Sequence, residues 1–180
     1  PSDVTFYNYS NNETITTSLI QNILVSGNSF VPGNAVAKSS VLLGFTGDVR
    51  PFEGVTVSNN VFDVGDNTAI SQLSPALSLN INGNNCNATS GVFFSAATGI
   101  TLDGLVECTN NMLYGTYLKA FGGAAMVRHN WCEECVVFAT GAKIITNNKV
   151  ELVTLTFVEA TDASDYTLRG NILHVSNYTT

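Results

Sequence analysis

The sequence predicts an all-β fold: a single-stranded, right-handed parallel β-helix of about seven coils carrying an asparagine ladder. Three observations carry this expectation: a template that recurs seven times, a step between copies centred in the low twenties, and the same turn chemistry inside every copy. The template reads apolar, any, apolar, any, Gly or Asn, Asn, any, apolar. It is met by Ile23–Phe30, Val55–Phe62, Leu79–Cys86, Val106–Leu113, Ala125–Cys132, Lys143–Val150 and Tyr166–Leu173, with Lys143 and His129 as the imperfect members. The shared asparagine falls at Asn28, Asn60, Asn84, Asn111, Asn130, Asn148 and Asn171, so the steps are 32, 24, 27, 19, 18 and 23 residues. Such a period marks a solenoid, in which a unit buries its apolar row only against its neighbours.

Each element follows from the template. Its first half alternates apolar and polar residues, the period of a half-buried strand. The Gly/Asn-Asn pair supplies a turn, because both residues tolerate left-handed backbone angles. The next apolar residue returns the chain to the interior. Equivalent strands of successive coils then pair in parallel at about 4.8 Å, and seven of them span about 34 Å. The seven asparagines align in one column, each amide bonding the next, as a device that sets register before it adds stability; each bond contributes about 1 kcal/mol net.

Between the templates lie further strand signals: Val41-Leu-Leu, Gly91–Phe94, Gly115–Leu118, Cys135–Phe138 and Leu152–Phe157. The coils run from about residue 18 to 175 of a single domain, 1–180. Loop excursions are expected near 31–51, where Pro32-Gly33 and Gly44–Gly47 break regular structure, and near 63–75, with at most a short helical turn at Asn67–Leu73. The competing fold, an antiparallel β-sandwich, does not require turn residues to recur in one place relative to an inner apolar row.

Composition suits a rod with an apolar lining and a Ser/Thr/Asn exterior: 44% hydrophobic residues and only 12% charged. The net charge of −7, with seven scattered basic residues, argues against a nucleic-acid partner. No stretch has the apolar length of a membrane span. Sequons at Asn8, Asn12, Asn87 and Asn177 are weak support for a secreted origin in so Asn- and Thr-rich a chain.

Four cysteines allow three pairings. Cys86 and Cys132 occupy the same inner slot two coils apart, about 9.6 Å, beyond the reach of a disulfide. Cys108 sits in another inner row. Buried free thiols are the leading reading, with a Cys132–Cys135 bridge at a turn as the alternative. Cys132-Glu-Glu-Cys135 lacks the second pair a zinc site needs, so no metal is expected.

Candidate chemistry is sparse. Asp63, Asp66 and Glu107 are the carboxylates most open to acid/base or calcium roles, with Asp103 and Glu133-Glu134 behind them. Asp63-Val-Gly-Asp66 is a fragment of a calcium loop without its remaining ligands, and reads better as solvated carboxylates. By register Glu107 and Arg128 face outward one alternate position apart, a diagonal surface ion pair rather than a catalytic one. Glu133 and Glu134 face opposite sides of a strand unless a turn intervenes. His129 takes a turn position and His174 follows the last coil; neither has a nucleophile beside it. Among the aromatics near the shortest coils, Tyr114, Tyr117, Phe121 and Trp131, Phe121 reads as core. Trp131 lies outside the inner slots and, with Tyr117, is a candidate contact surface for stacking on sugar rings. Met126 and Ile144 fall side by side on an outward row and suggest a face for another subunit. No residue is assigned catalysis, and no cofactor is expected.

The pattern seen in Val25–Phe30 and Val57–Phe62 resembles the right-handed β-helix repeats of the pectate-lyase-like superfamily, over about Ile23 to Leu173. Phe121-Gly-Gly-Ala-Ala125 is similar to the Gly-Gly-Ala element of bacterial surface β-helices. The resemblance implies a rod that carries many functions, among them phage tailspikes, adhesins and polysaccharide lyases. The carboxylate and basic clusters of the lyases find no match here. The expected function is therefore a non-enzymatic structural or adhesive rod, self-assembling as a homotrimer or end-to-end fibre, at a virion surface or in an extracellular fibre. Glycans or a cell-surface receptor are the further expected partners. The alternative is a carbohydrate-active β-helix, a lyase, hydrolase or glycan-binding module.

Overall fold

The computed structural model describes residues 4–6, 20–31, 39–44, 52–96, 105–152, 158–159 and 167–175; of Tyr117 only the backbone is described. Every strand pairing among these residues is parallel. That rules out the antiparallel sandwich, and the curled parallel sheets are compatible with a parallel β-helix.

Apart from a two-stranded sheet of Ile20–Gln21 and Phe52–Glu53, the described strands form three walls. The first is a seven-stranded sheet of Leu24–Ser26, Val55–Ser58, Ser78–Asn82, Leu105–Thr109, Met126–Arg128, Ile144–Thr146 and Thr167–Arg169. The second stacks Ser29–Phe30, Val61–Gly65, Asn85–Ala88, the first halves of Met112–Gly122 and Trp131–Thr140, then Lys149–Leu152 and Ile172–Val175. The third holds Val4–Phe6, Ser39–Leu43, Thr68–Gln72, Val92–Ala96, the ends of the two long strands, and Val158–Glu159. The two long strands fuse the second and third walls into one 12-stranded sheet.

The corner between the first and second walls is the same in all seven repeats. The residue before each ladder asparagine has a left-handed backbone: Gly27, Asn59, Gly83, Asn110, His129, Asn147 and Gly170 all have φ between 54° and 72°. Gly, Asn and His tolerate that region best, which explains both the Gly/Asn alternation and the one histidine.

Inside the walls run unbroken apolar rows. One is Val25, Val57, Ile81, Cys108, Val127 and Ile145; another is Phe30, Phe62, Cys86, Leu113, Cys132 and Val150, all buried. An aromatic spine follows the axis. Phe30 stacks on Phe62 with centroids 4.9 Å apart, and Phe62, Phe93, Phe121 and Phe138 continue edge to face at 6.2, 5.7 and 5.3 Å. Such pairs contribute about 0.5–1.5 kcal/mol each beyond their burial. Phe121 is core, as expected.

The asparagine column is a continuous ladder. Each asparagine from Asn28 to Asn148 donates both its backbone N–H and its Nδ2 to the Oδ1 of the next, at 2.9–3.1 Å. Nδ2 of Asn60, Asn84, Asn111, Asn130, Asn148 and Asn171 also donates to the carbonyl of Val25, Val57, Ile81, Cys108, Val127 and Ile145 in turn. Asn60, Asn84, Asn111, Asn130 and Asn148 are buried, so these bonds answer the cost of taking amides out of water.

Two expectations need correction. Residues 63–75 are not an excursion: Val61–Gly65 and Thr68–Gln72 are regular strands, and no helical turn forms at Asn67–Leu73. The second of these strands buries Ala69, Ile70 and Gln72, a pattern with no clean alternation to reveal it. Within 31–51, the strand signal at Val41-Leu-Leu is borne out by the strand Ser39–Leu43; residues 32–38 and 45–51 lie outside the described residues, as do 153–157. The second correction concerns the thiols. Cys86 and Cys108 are free and buried, but Cys132 and Cys135 form a disulfide with their Cα atoms 6.3 Å apart. Strict alternation sets residues three apart on opposite faces; Glu134, at φ 61°, inserts a bulge that turns both cysteines inward.

Candidate functional site

The corner and the bulge together decide what the second wall presents to solvent. The residues one place after the ladder asparagines form an outward column: Ser29, Val61, Asn85, Met112, Trp131, Lys149 and Ile172. Val61, Met112, Trp131 and Ile172 are all exposed large apolar residues. Trp131, 39% exposed, carries the Lys149 ammonium 4.9 Å from its ring centroid. A cation over an exposed indole is worth about 0.5–1 kcal/mol. The Tyr114 ring lies 6.2 Å away, tilted by 53°.

Two places further along the strands runs a second outward column, half of it acidic. Asp63, Asn87, Tyr114 and Glu133 are successive partners, and beyond the bulge Glu151 pairs with His174. The His174 Nδ1 is 3.6 Å from Glu151 Oε1, and both groups are exposed enough for water to screen the contact. Glu134 is exposed on the bulge and Glu133 half-buried beside it. Both leave the interior, because the flanking cysteines point in.

The wall thus offers aromatic rings and an ammonium near the carboxylates of Glu133, Glu134 and Glu151. Rings can stack on an apolar or sugar face, and carboxylates can accept hydroxyl hydrogen bonds.

The remaining candidates are elsewhere. On the first wall Glu107 and Arg128 form the expected diagonal ion pair, Arg128 Nη2 donating to Glu107 Oε1, which ties up both charges. Met126 and Ile144 are direct neighbours, and Glu107 abuts Met126. Asp63 is an exposed strand residue opposite Asn87, whereas Asp66 sits in the following turn and accepts a 2.7 Å bond from Ser90 Oγ. Among the described residues no group of three or more His, Cys, Asp or Glu side chains could hold a metal ion. Asn87 is exposed; Asn8, Asn12, Asn177 and Asp103 lie outside the described residues, and so does the Tyr117 side chain.

The two free thiols are not reactive groups. Burial, with a smaller push from Asp63, raises Cys86 to about 12. Burial, with Glu107 adding to it, moves Cys108 well upward too. Thiolate, the nucleophilic form, is suppressed at both.

Sequence reasoning placed Trp131, Met126 and Ile144 on outward rows but missed Met112 and Lys149 as the neighbours of Trp131, and Ile172 beyond Lys149. The signal was available: all follow a ladder asparagine directly, so indexing from the asparagine puts them in one column. No family model, no curated protein and no solved structure matches this chain.

Proposed function

We propose that the chain is a non-enzymatic structural and adhesive rod, a right-handed parallel β-helix of about seven coils that self-assembles at a virion surface or in an extracellular fibre. The handedness is supported by the strong chiral preference of crossovers between parallel strands. The coil number is supported by the seven equivalent left-handed corners. The disulfide fits oxidising surroundings, where such bonds persist.

One observation carries the self-assembly. Leu168 and Leu173 continue the two inner rows after Ile145 and Val150, which are buried, yet they are 55% and 48% exposed. An inner row left bare next to open strand edges drives association. The expected result is a species larger than the 19.1 kDa chain by size-exclusion chromatography with light scattering, growing with concentration. A monomer at every concentration would count decisively against this reading.

The Trp131, Tyr114 and Lys149 group supports a second reading, a glycan-binding or glycan-cleaving face. An array of neutral and acidic glycans tests it, with Trp131→Ala expected to abolish any binding found. Unsaturated products or new reducing ends, lost on changing Glu133 or Glu151, would put an enzyme ahead of a rod.

A further inference from the structure

The asparagines of this chain fall into two chemical kinds. Those of the ladder spend Nδ2 on the next asparagine and on a backbone carbonyl, and most are buried. Asn87 is the opposite case. It opens Asn87-Ala-Thr89, the acceptor sequence for N-linked sugar. Strand alternation turns Cys86 and Ala88 inward and leaves Asn87 exposed. Thr89, whose hydroxyl the transfer requires, is exposed in the turn that follows, and its backbone N–H is fixed by Gly65 O at 2.8 Å. Among the described residues neither Asn87 Nδ2 nor Thr89 Oγ1 has a hydrogen-bond partner.

What surrounds Asn87 suits a sugar. Parallel pairing sets it between Asp63 and Tyr114, one strand spacing of about 4.8 Å from each. Asp63 is exposed, and Tyr114 is half-buried with its ring 6.2 Å from that of Trp131 and tilted by 53°. Trp131 itself is 39% exposed. An open amide nitrogen thus has a carboxylate on one flank and two rings on the other. A pyranose has a face of C–H groups and a rim of hydroxyls, which match rings beneath it and a carboxylate beside it.

We propose that Asn87 is N-glycosylated and that the sugar next to the protein lies over Tyr114 and Trp131. The proposal rests on the extracellular reading, because attachment takes place in a eukaryotic secretory compartment, the oxidising setting that the Cys132–Cys135 disulfide also suits. In place of the foreign glycan of the second reading it puts the chain's own. The donor is an oligosaccharide carried on a lipid pyrophosphate. A bond forms between Asn87 Nδ2 and sugar C1, the C1–O bond to the pyrophosphate breaks, the amide gives up one proton, and the lipid pyrophosphate leaves. Nδ2 keeps one N–H. Because Asn87 faces outward in the closed wall, folding leaves the sugar in solvent and the apolar rows undisturbed.

Peptide mapping reads the attachment, before and after an amidase that removes N-linked sugar and leaves aspartate. In the chain recovered from its natural source, residue 87 is expected as aspartate only after that treatment. The full chain secreted from cultured eukaryotic cells, beside Thr89→Ala, separates the causes of failure. A secreted, folded chain with a bare Asn87 overturns the proposal and leaves the extracellular reading standing. Sugar at Asn87 from cultured cells but none in the natural chain overturns the proposal and the secretory route with it. Trp131 is the chain's single tryptophan, so its fluorescence reads where the sugar lies. Acrylamide is expected to quench it about twofold less in the glycosylated chain than in Thr89→Ala, and equally so once an endoglycosidase has left only the first sugar. Tyr114→Ala is expected to shrink that difference without changing the attachment. Equal quenching at full occupancy would remove the sugar from the rings. Circular dichroism checks that the variants fold; should Thr89→Ala not, Asn87→Gln at the exposed acceptor replaces it with the same outcomes expected.

Discussion

Asn111 shows why a single ladder residue matters more than its bond count suggests. Its Oδ1 accepts from Asn84 N–H and Nδ2 at 3.0 Å each, and its Nδ2 donates to Ile81 O and Asn130 Oδ1. Asn111→Ala leaves the buried Asn84 N–H without its acceptor, while Asn84 Nδ2 keeps Val57 O and Ile81 O loses its side-chain donor. At about 1–3 kcal/mol for the stranded N–H and about 1 kcal/mol for each weakened group, the loss is roughly 2–5 kcal/mol, a large share of an ordinary domain's stability. Asn28→Ala strands little, because Asn60 Oδ1 keeps the Asn28 backbone N–H and the site is wet; the expected loss is below about 1 kcal/mol. Chemical denaturation of the two variants compares them directly, and equal losses would mean that the ladder sets register without stabilising. Cys86 gives a second handle at this scale. The free thiol ionises at 9.0 and the buried one only at about 12, so the folded state holds the proton longer than the unfolded one. Stability is full below pH 9, falls as pH climbs above it, and is lost further toward 12; Cys86→Ala is expected to flatten that alkaline decline in denaturation curves recorded between pH 8 and 11.

At the scale of elements, alternation was readable and departures from it were not. The first-wall strands and the ladder corner follow directly from the apolar spacing. So do the Met126–Ile144 and Glu107–Arg128 neighbours, because period-two alternation anchored at a fixed corner sets the register of everything between. The third-wall strand Thr68–Gln72 buries two consecutive residues and a further one two places on, so its apolar pattern resembles neither a strand nor a helix; Ser39–Leu43 has the same burial pattern and was legible only through the apolar run Val41-Leu-Leu. The bulge in Trp131–Thr140 is equally silent, since glutamate is no turn residue; without it the Cys132–Cys135 bridge is geometrically excluded. The packing of Lys149 over Trp131 depends on side-chain placement that spacing alone does not give. The bulge carries its own prediction. A glutamate held at φ 61° bears a penalty of about 1–2 kcal/mol that glycine escapes, against about 0.5–1 kcal/mol for glycine's extra freedom when unfolded. Glu134→Gly is therefore expected to raise the midpoint of thermal unfolding slightly, or leave it unchanged. A clear drop would mean that the Glu134 side chain holds the bulge in place.

The whole molecule inherits a gradient from being a stack. Each strand answers to the one before and the one after, so stability adds up from repeats and their interfaces. Ile81, Cys108 and Val127 sit between two partners in completely buried rows, whereas Thr167–Arg169 and Ile172–Val175 have, among the described residues, one strand partner each and are largely exposed. Local opening should therefore cost least at the tail and most in the middle. In hydrogen exchange read by mass spectrometry on dilute protein, amides of 167–175 are expected to exchange at least tenfold faster than those of 105–109 and 126–128. The head should exchange more slowly than the tail, because Val25 and Phe30 are covered. Uniform protection along the rod would instead mean that it opens only as one cooperative unit. Raising the protein concentration separates the two origins of tail mobility: a strand that lacks only a neighbour gains protection as a second copy supplies one, and a strand weak in itself does not.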